Sequence, residues 1–173
     1  MLSQVDQFQS FAERKISESF QSKDAKEIYP LLCSKDLSFS TYPRKCFSDE
    51  WILFRLALGS LAWHEACLEN HIEDKAIQKM FIQKILRTFK APESLPQATA
   101  FSEYIYSADG THLNGEVVLL VERFLARLSK KSKGLPKSSI ALRVCFQTLV
   151  EVAESLRMSL QNGFLDIFHF DRT

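Results

Sequence analysis

The segment from Trp51 to Trp63 constrains the fold more than any other part of the chain. Its 13 residues are apolar on nearly every side of a helix, and Arg55 is the only charged residue among them. A membrane-spanning helix needs about 18 to 20 uncharged residues, so this segment is too short to cross a bilayer. A helix that is apolar all round is buried all round. The sequence therefore predicts a central buried helix, at about residues 49–68, with the other elements packed around it.

Local signals predict where this helix begins and how closely its neighbours approach. The Ser48 hydroxyl can accept a backbone N–H, and Asp49 and Glu50 would lie at the positive end of the helix dipole. The helix is therefore predicted to begin at Ser48. Gly59 inside a helix costs about 1 kcal/mol relative to alanine. We interpret its presence as a sign that a neighbouring helix packs closely against this position.

Apolar residues recur at helical spacing through most of the remaining sequence, and each stripe predicts a surface helix with one buried face. No stretch between the stripes is long enough to be a domain linker. We therefore predict one all-α domain over residues 1–173, a bundle of six or seven helices. The first stripe consists of Leu2, Val5, Phe8, Ala12, Ile16 and Phe20. A short helix capped by Asp24 and kinked or ended by Pro30 comes next, then an irregular connection over 36–47 and further helices near 77–89, 98–106, 117–128 and 142–160, the last ending at Gly163.

Composition and charge exclude several classes of protein. Hydrophobic residues make up 46% of the chain and charged residues 25%, which is typical of a folded domain and not of a disordered one. The net charge is only +1, so no global field draws the chain to nucleic acid or to an anionic membrane. The N-terminus shows no secretory signal pattern, and the four cysteines form no CxxC pair. We therefore expect a cytoplasmic protein with reduced thiols and no membrane association.

Three residues of metal-ligating type follow one another at helical spacing. His64, Cys67 and His71 stand at i, i+3 and i+7, which would place them on one stripe of the central helix. This pattern suggests a zinc or iron site completed by a carboxylate of another helix. The three ligands would span about 10 Å at 1.5 Å per residue, too far for one ion to reach both imidazoles. The competing interpretation is that a buried helix emerges into solvent here, and no cofactor is predicted.

The strongest local charge asymmetry lies between positions 123 and 143, where no acidic residue occurs. Such a segment could bind a protein partner or, as a weaker possibility, nucleic acid. Basic residues near a helix C-terminus also complement the helix dipole, so a solvated helix end is the competing interpretation. The predicted partner-binding residues are Arg123, Arg127, Lys130, Lys131, Lys133 and Lys137, and Arg143 completes the basic segment.

Arg55 is a charge on a helix that leaves little room for one. We expect it to form a buried pair with Glu122, Glu151 or Glu154, or to anchor the carboxylate of a ligand in a pocket.

The aromatic tail is too apolar to remain exposed to solvent. It contains Phe164, Phe168 and Phe170, which either fold back onto the core or form a homodimer interface.

Catalytic motifs are absent from the sequence: there is no glycine-rich phosphate loop, paired-carboxylate motif or nucleophile arrangement. We therefore expect a non-enzymatic helical protein that acts through protein–protein contacts, as an adaptor, a regulator or an oligomeric scaffold. One alternative is a small-ligand or metal-dependent helical enzyme built around His64, Cys67, His71 or Arg55. Another is a nucleic-acid-associated regulator that uses the basic segment.

Overall fold

A computed structural model shows the predicted all-α fold. It describes residues 24–89, 95–106, 117–131 and 139–169, together with the helical positions 6, 7, 10, 11, 13, 14 and 17. These residues contain no β-strand, and a short 3-10 helix covers Leu37–Thr41. The α-helices are α1 (Asp24–Lys35), α2 (Arg44–Glu69), α3 (Lys75–Thr88), α4 (Leu95–Ile105), α5 (Val117–Lys131) and α6 (Ser139–His169).

The helix α2 lies at the centre of the molecule. It packs against α1, α3, α4, α5 and α6, and its apolar residues Leu53, Leu56 and Leu61 are buried. Aromatic side chains fill the space around it: the Trp51 ring lies 5.7 Å from that of Phe124 on α5. The predicted burial of this segment is thus observed, because a helix without a polar face must be covered on all sides. Of the described helices, none has both the length and the apolar character needed to span a membrane.

The beginning of α2 differs from the prediction. The helix starts at Arg44 and not at Ser48, and its N-cap is Pro43, which makes no side-chain capping bond. Just before it, the buried Tyr42 is fixed by the Tyr29 hydroxyl, which donates to the Tyr42 carbonyl oxygen at 2.6 Å. The chain therefore enters the helix directly after an anchored residue, and the predicted start lies more than a turn inside α2.

Gly59 allows α2 and α3 to approach each other closely, as predicted. A Cβ atom at this position would lie 2.9 Å from Cζ of Phe81. The Phe81 ring is buried between Trp63 and Phe164, with centroid distances of 6.3 and 5.4 Å. A larger residue at this position would force the buried Phe81 ring to shift, which explains why glycine is tolerated inside the helix.

The last helix continues beyond Gly163, so the predicted end is wrong. Phe164 is fully buried, and its ring lies 5.0 Å from Trp63 and 4.9 Å from Phe11. This burial stabilises further helical turns, because the aromatic residue continues the inward face of α6. Phe164 thus lies in the core of its own chain, and the alternative of a homodimer through the tail stays a prediction. The Phe168 side chain and Phe170 lie outside the described residues. So do the six residues of the first predicted stripe: Leu2, Val5, Phe8, Ala12, Ile16 and Phe20.

Candidate functional site

The three predicted metal ligands do not form one stripe. His64 and Cys67 lie on α2, but the helix ends at Glu69 and Asn70 caps it by donating from Nδ2 to the Ala66 carbonyl oxygen at 2.9 Å. His71 lies beyond this end, is exposed and has a φ of 53°, in the left-handed region.

The Cys67 thiol is fully buried, and this burial raises its pKa from 9.0 to about 12. Across the described residues, no group of three or more histidine, cysteine or acidic side chains could hold a metal ion.

Arg55 is half-buried on α2, and its three predicted partners are not buried carboxylates. Glu122 and Glu151 are exposed, and Glu154 accepts a hydrogen bond from Nε of Arg157 at 2.8 Å. In the part of the chain that is described, the one charged residue that is fully buried is Glu50. Glu50 forms an ion pair with Arg127, whereas the sequence had placed it only at the positive end of the helix dipole.

Glu50 joins α2 to α4 and α5. Its Oε1 atom accepts a hydrogen bond from the Tyr104 hydroxyl at 2.7 Å and another from Nε of Arg127. The same guanidinium reaches the exposed Glu103 through Nη1. Burial, and then the neighbouring Glu50 charge, raise the pKa of Tyr104. Burial is the largest single influence on Arg127 and acts to lower its pKa, but the bond to Glu50 together with the negative charge around the guanidinium outweighs it and raises the pKa of Arg127.

Two residues of the predicted basic surface are thus engaged inside the fold. Arg127 is held by two carboxylates, and Arg123 donates from Nη1 to the carbonyl oxygens at the end of α4, including that of Tyr106 at 2.6 Å. Lys130 is exposed. The Lys131 side chain, Lys133 and Lys137 lie outside the described residues, so the prediction of partner binding stays a prediction for these four lysines.

Two cavities lie along α2. One of about 430 Å³ is bounded by α2, by α4 and by Arg127, whose charge the two carboxylates already neutralise. The other, of about 350 Å³, lies between α1 and the start of α2, where the Arg44 guanidinium stacks over the Tyr29 ring at 5.5 Å.

An open groove of about 530 Å³ lies between the C-terminal end of α2 and α6. Leu68 is 58% exposed and Met158 is 56% exposed, and both line this groove. Single exposed apolar residues are common on protein surfaces, but two that share a groove form a local apolar patch. We call this surface the α2–α6 groove; its lining residues are Glu65, Leu68, Glu69, Arg157, Met158, Gln161, Asn162 and Leu165.

Polar contacts between the two helices line the α2–α6 groove. Arg157 donates from Nη1 to Glu65, and Gln161 donates from Nε2 to Oε1 of Glu69 at 2.6 Å. Both contacts join residues 92 positions apart, so α2 and α6 run side by side in the same direction here. Burial opposes the charge of Arg157, but its bond to Glu154 and the charge of Glu65 raise its pKa.

Sequence reasoning missed the α2–α6 groove, although one signal was present. The acids Glu65 and Glu69 stand at i and i+4, and so do their partners Arg157 and Gln161. Residues at this spacing share a helix face, so each pair predicts a row of polar side chains on its own helix. The spacing does not predict which row on the other helix it contacts.

Comparisons with protein-family profiles, with curated proteins and with solved structures found no match to this chain.

Proposed function

We propose that this chain is a non-enzymatic helical protein that acts through protein–protein contacts, and that the α2–α6 groove is its docking surface. The observation that supports this proposal is the exposure of Leu68 and Met158 within one groove. Exposed apolar patches rimmed by polar groups are typical of interaction sites. Such a protein would serve as an adaptor, a regulator or an oligomeric scaffold.

The hydrogen bonds lining the groove add a second argument. The contacts of Arg157 with Glu65 and of Gln161 with Glu69 hold α2 and α6 in a defined relation. A surface that is held in place loses little conformational entropy on binding, so more of the contact energy appears as affinity. The groove is therefore well suited to a protein ligand that docks without large rearrangement of this chain.

No specific observation favours the alternative functions. A small-ligand or metal-dependent enzyme and a nucleic-acid-associated regulator both stay predictions from the sequence, as does a homodimer through Phe168 and Phe170. The four cysteines form no disulfide. Because reduced thiols are typical of the cytosol, we propose a cytoplasmic location.

Site-specific photo-crosslinking tests the proposed function. A photoreactive amino acid replaces Leu68 in one variant and Leu37 in a control, in the cells from which the chain derives. Leu37 is 84% exposed and lies on the 3-10 helix, outside the α2–α6 groove. We expect the Leu68 position to yield a discrete crosslinked protein that the Leu37 position does not yield. Identical products at both positions, or none at Leu68, would contradict the proposal.

A further inference from the structure

We infer that the occupant of the α2–α6 groove is an amphipathic helix of a partner protein with basic residues beside its apolar stripe. This inference rests on the proposed function and adds the chemistry of the ligand. Its apolar part follows from Leu68 and Met158, which would contact the apolar stripe of the docked helix.

The charges in and beside the groove favour a basic ligand. Among the described residues, the groove is lined by two carboxylates, those of Glu65 and Glu69, and by one guanidinium, that of Arg157, which also bonds to Glu154 beside the groove. Arg157 is therefore shared by Glu65 and Glu154, and the described residues in and beside the groove carry more negative than positive charge.

The C-terminal end of α2 adds to this negative potential. A helix C-terminus carries a partial negative charge, and basic residues in the last turn normally offset it. The last turn of α2 contains no basic residue and ends on the exposed Glu69. Lysine or arginine side chains of a docked helix would supply the missing positive charge, and charge complementarity of this kind sets specificity and association rate.

The dimensions of the groove suit a short helical segment. Its lining residues on α6 run from Arg157 to Leu165, which corresponds to about 12 Å at 1.5 Å per residue. This length matches about two turns of a docked helix, whose apolar side chains at i, i+3 and i+4 would lie over Leu68 and Met158.

The test measures fluorescence anisotropy of labelled synthetic peptides with the full chain. The first peptide, about five turns long, carries leucine at helical i, i+3, i+4 spacing and lysine at its other positions. A second replaces every lysine with glutamate, and a third keeps the composition of the first but scrambles its order. We expect the first peptide to bind at least about tenfold more tightly than either of the others, with affinity that falls as salt rises.

Variants of the chain place this binding in the groove. Leu68→Asn should weaken the first peptide about tenfold, and Glu69→Gln should weaken it and flatten its salt dependence. Leu37→Asn and Glu122→Gln are the matched controls, since both residues are exposed and neither lines the groove. The controls should bind as the unchanged chain does.

Three outcomes would overturn the inference. They are equal binding of the lysine and glutamate peptides, equal binding of the scrambled peptide, and unchanged binding by Leu68→Asn. If the glutamate peptide binds and Leu68→Asn abolishes that binding, the groove still docks a helix and only the basic chemistry fails. The proposed function itself fails on the photo-crosslinking result, which does not depend on any peptide.

Discussion

Replacing Arg127 with alanine tests the ion pair that joins α2 to α5. The Glu50 side chain is 0% exposed and that of Arg127 is 17% exposed, so the variant removes a cation that is bonded to a fully buried carboxylate. Breaking a buried pair in this way costs about 3–5 kcal/mol. A domain is stabilised by about 5–15 kcal/mol in all, so the loss should be large. Urea unfolding followed by tryptophan fluorescence measures it, because Trp51 and Trp63 are both buried.

Glu103 provides the control for this prediction within the same network. It binds the same guanidinium but is 57% exposed, so Glu103→Ala should cost less than about 1 kcal/mol. A double variant with leucine at both Glu50 and Arg127 removes the two charges together, and it should be more stable than Arg127→Ala. A cost below about 1 kcal/mol for Arg127→Ala, or a cost equal to that of Glu103→Ala, would refute the reasoning.

Three further predictions concern the core. Gly59→Ala should lower the free energy of unfolding by about 1 kcal/mol, since overpacking against Phe81 exceeds the gain in helix propensity. Adding Phe81→Leu to this variant should remove the penalty. A Gly59→Ala variant that is more stable than the unchanged chain would contradict the prediction. Burial raises the pKa of Cys67 to about 12 and that of Cys145 to about 11, so the folded state keeps protons that the unfolded state loses above pH 9.0. The free energy of unfolding should therefore fall from pH 9.0 upward, by at most about 1.4 kcal/mol per pH unit for each thiol. Urea unfolding at several pH values measures this fall, and a Cys67→Ala variant whose stability depends on pH as strongly as that of the unchanged chain would count against it. Phe164→Ala should lower the free energy of unfolding by about 3–5 kcal/mol in the same assay. If Phe164 instead formed a dimer interface, the substitution would lower the mass of the protein in solution and leave the stability of the monomer unchanged.

The central helix could be predicted from the sequence because its signal is local and strong. The Trp51 to Trp63 segment has no polar face, and a segment of this kind has only one environment available in a water-soluble fold. Close packing at Gly59 could be predicted in the same way, since glycine destabilises a helix interior and its presence there indicates a close neighbour. Both predictions agree with the observed packing of α2.

Helix ends could not be predicted because tertiary contacts override local capping signals. Ser48 has the residue type of an N-cap, but the contact between Tyr29 and Tyr42 fixes the chain earlier and α2 begins at Arg44. Gly163 has the residue type of a helix end, but burial of Phe164 extends α6 past it.

Long-range pairings were the other limit. Glu50 meets Arg127 across 77 positions, and nothing near Glu50 in the sequence distinguishes it from a solvent-exposed acid of a first turn. The α2–α6 groove depends on contacts across 92 positions and on the parallel course of two helices. Periodicity identifies a face of each helix but not the face it meets.

Methyl NMR of the chain labelled at its methionines tests the docking surface most directly. The sequence has three methionines, of which Met158 lines the α2–α6 groove and Met80 lies on α3, partly buried against the core. On titration with the lysine peptide, the account predicts that the Met158 resonance shifts in a saturable way while that of Met80 stays in place. A peptide that binds without moving the Met158 resonance, or that moves Met80 as much, would contradict it.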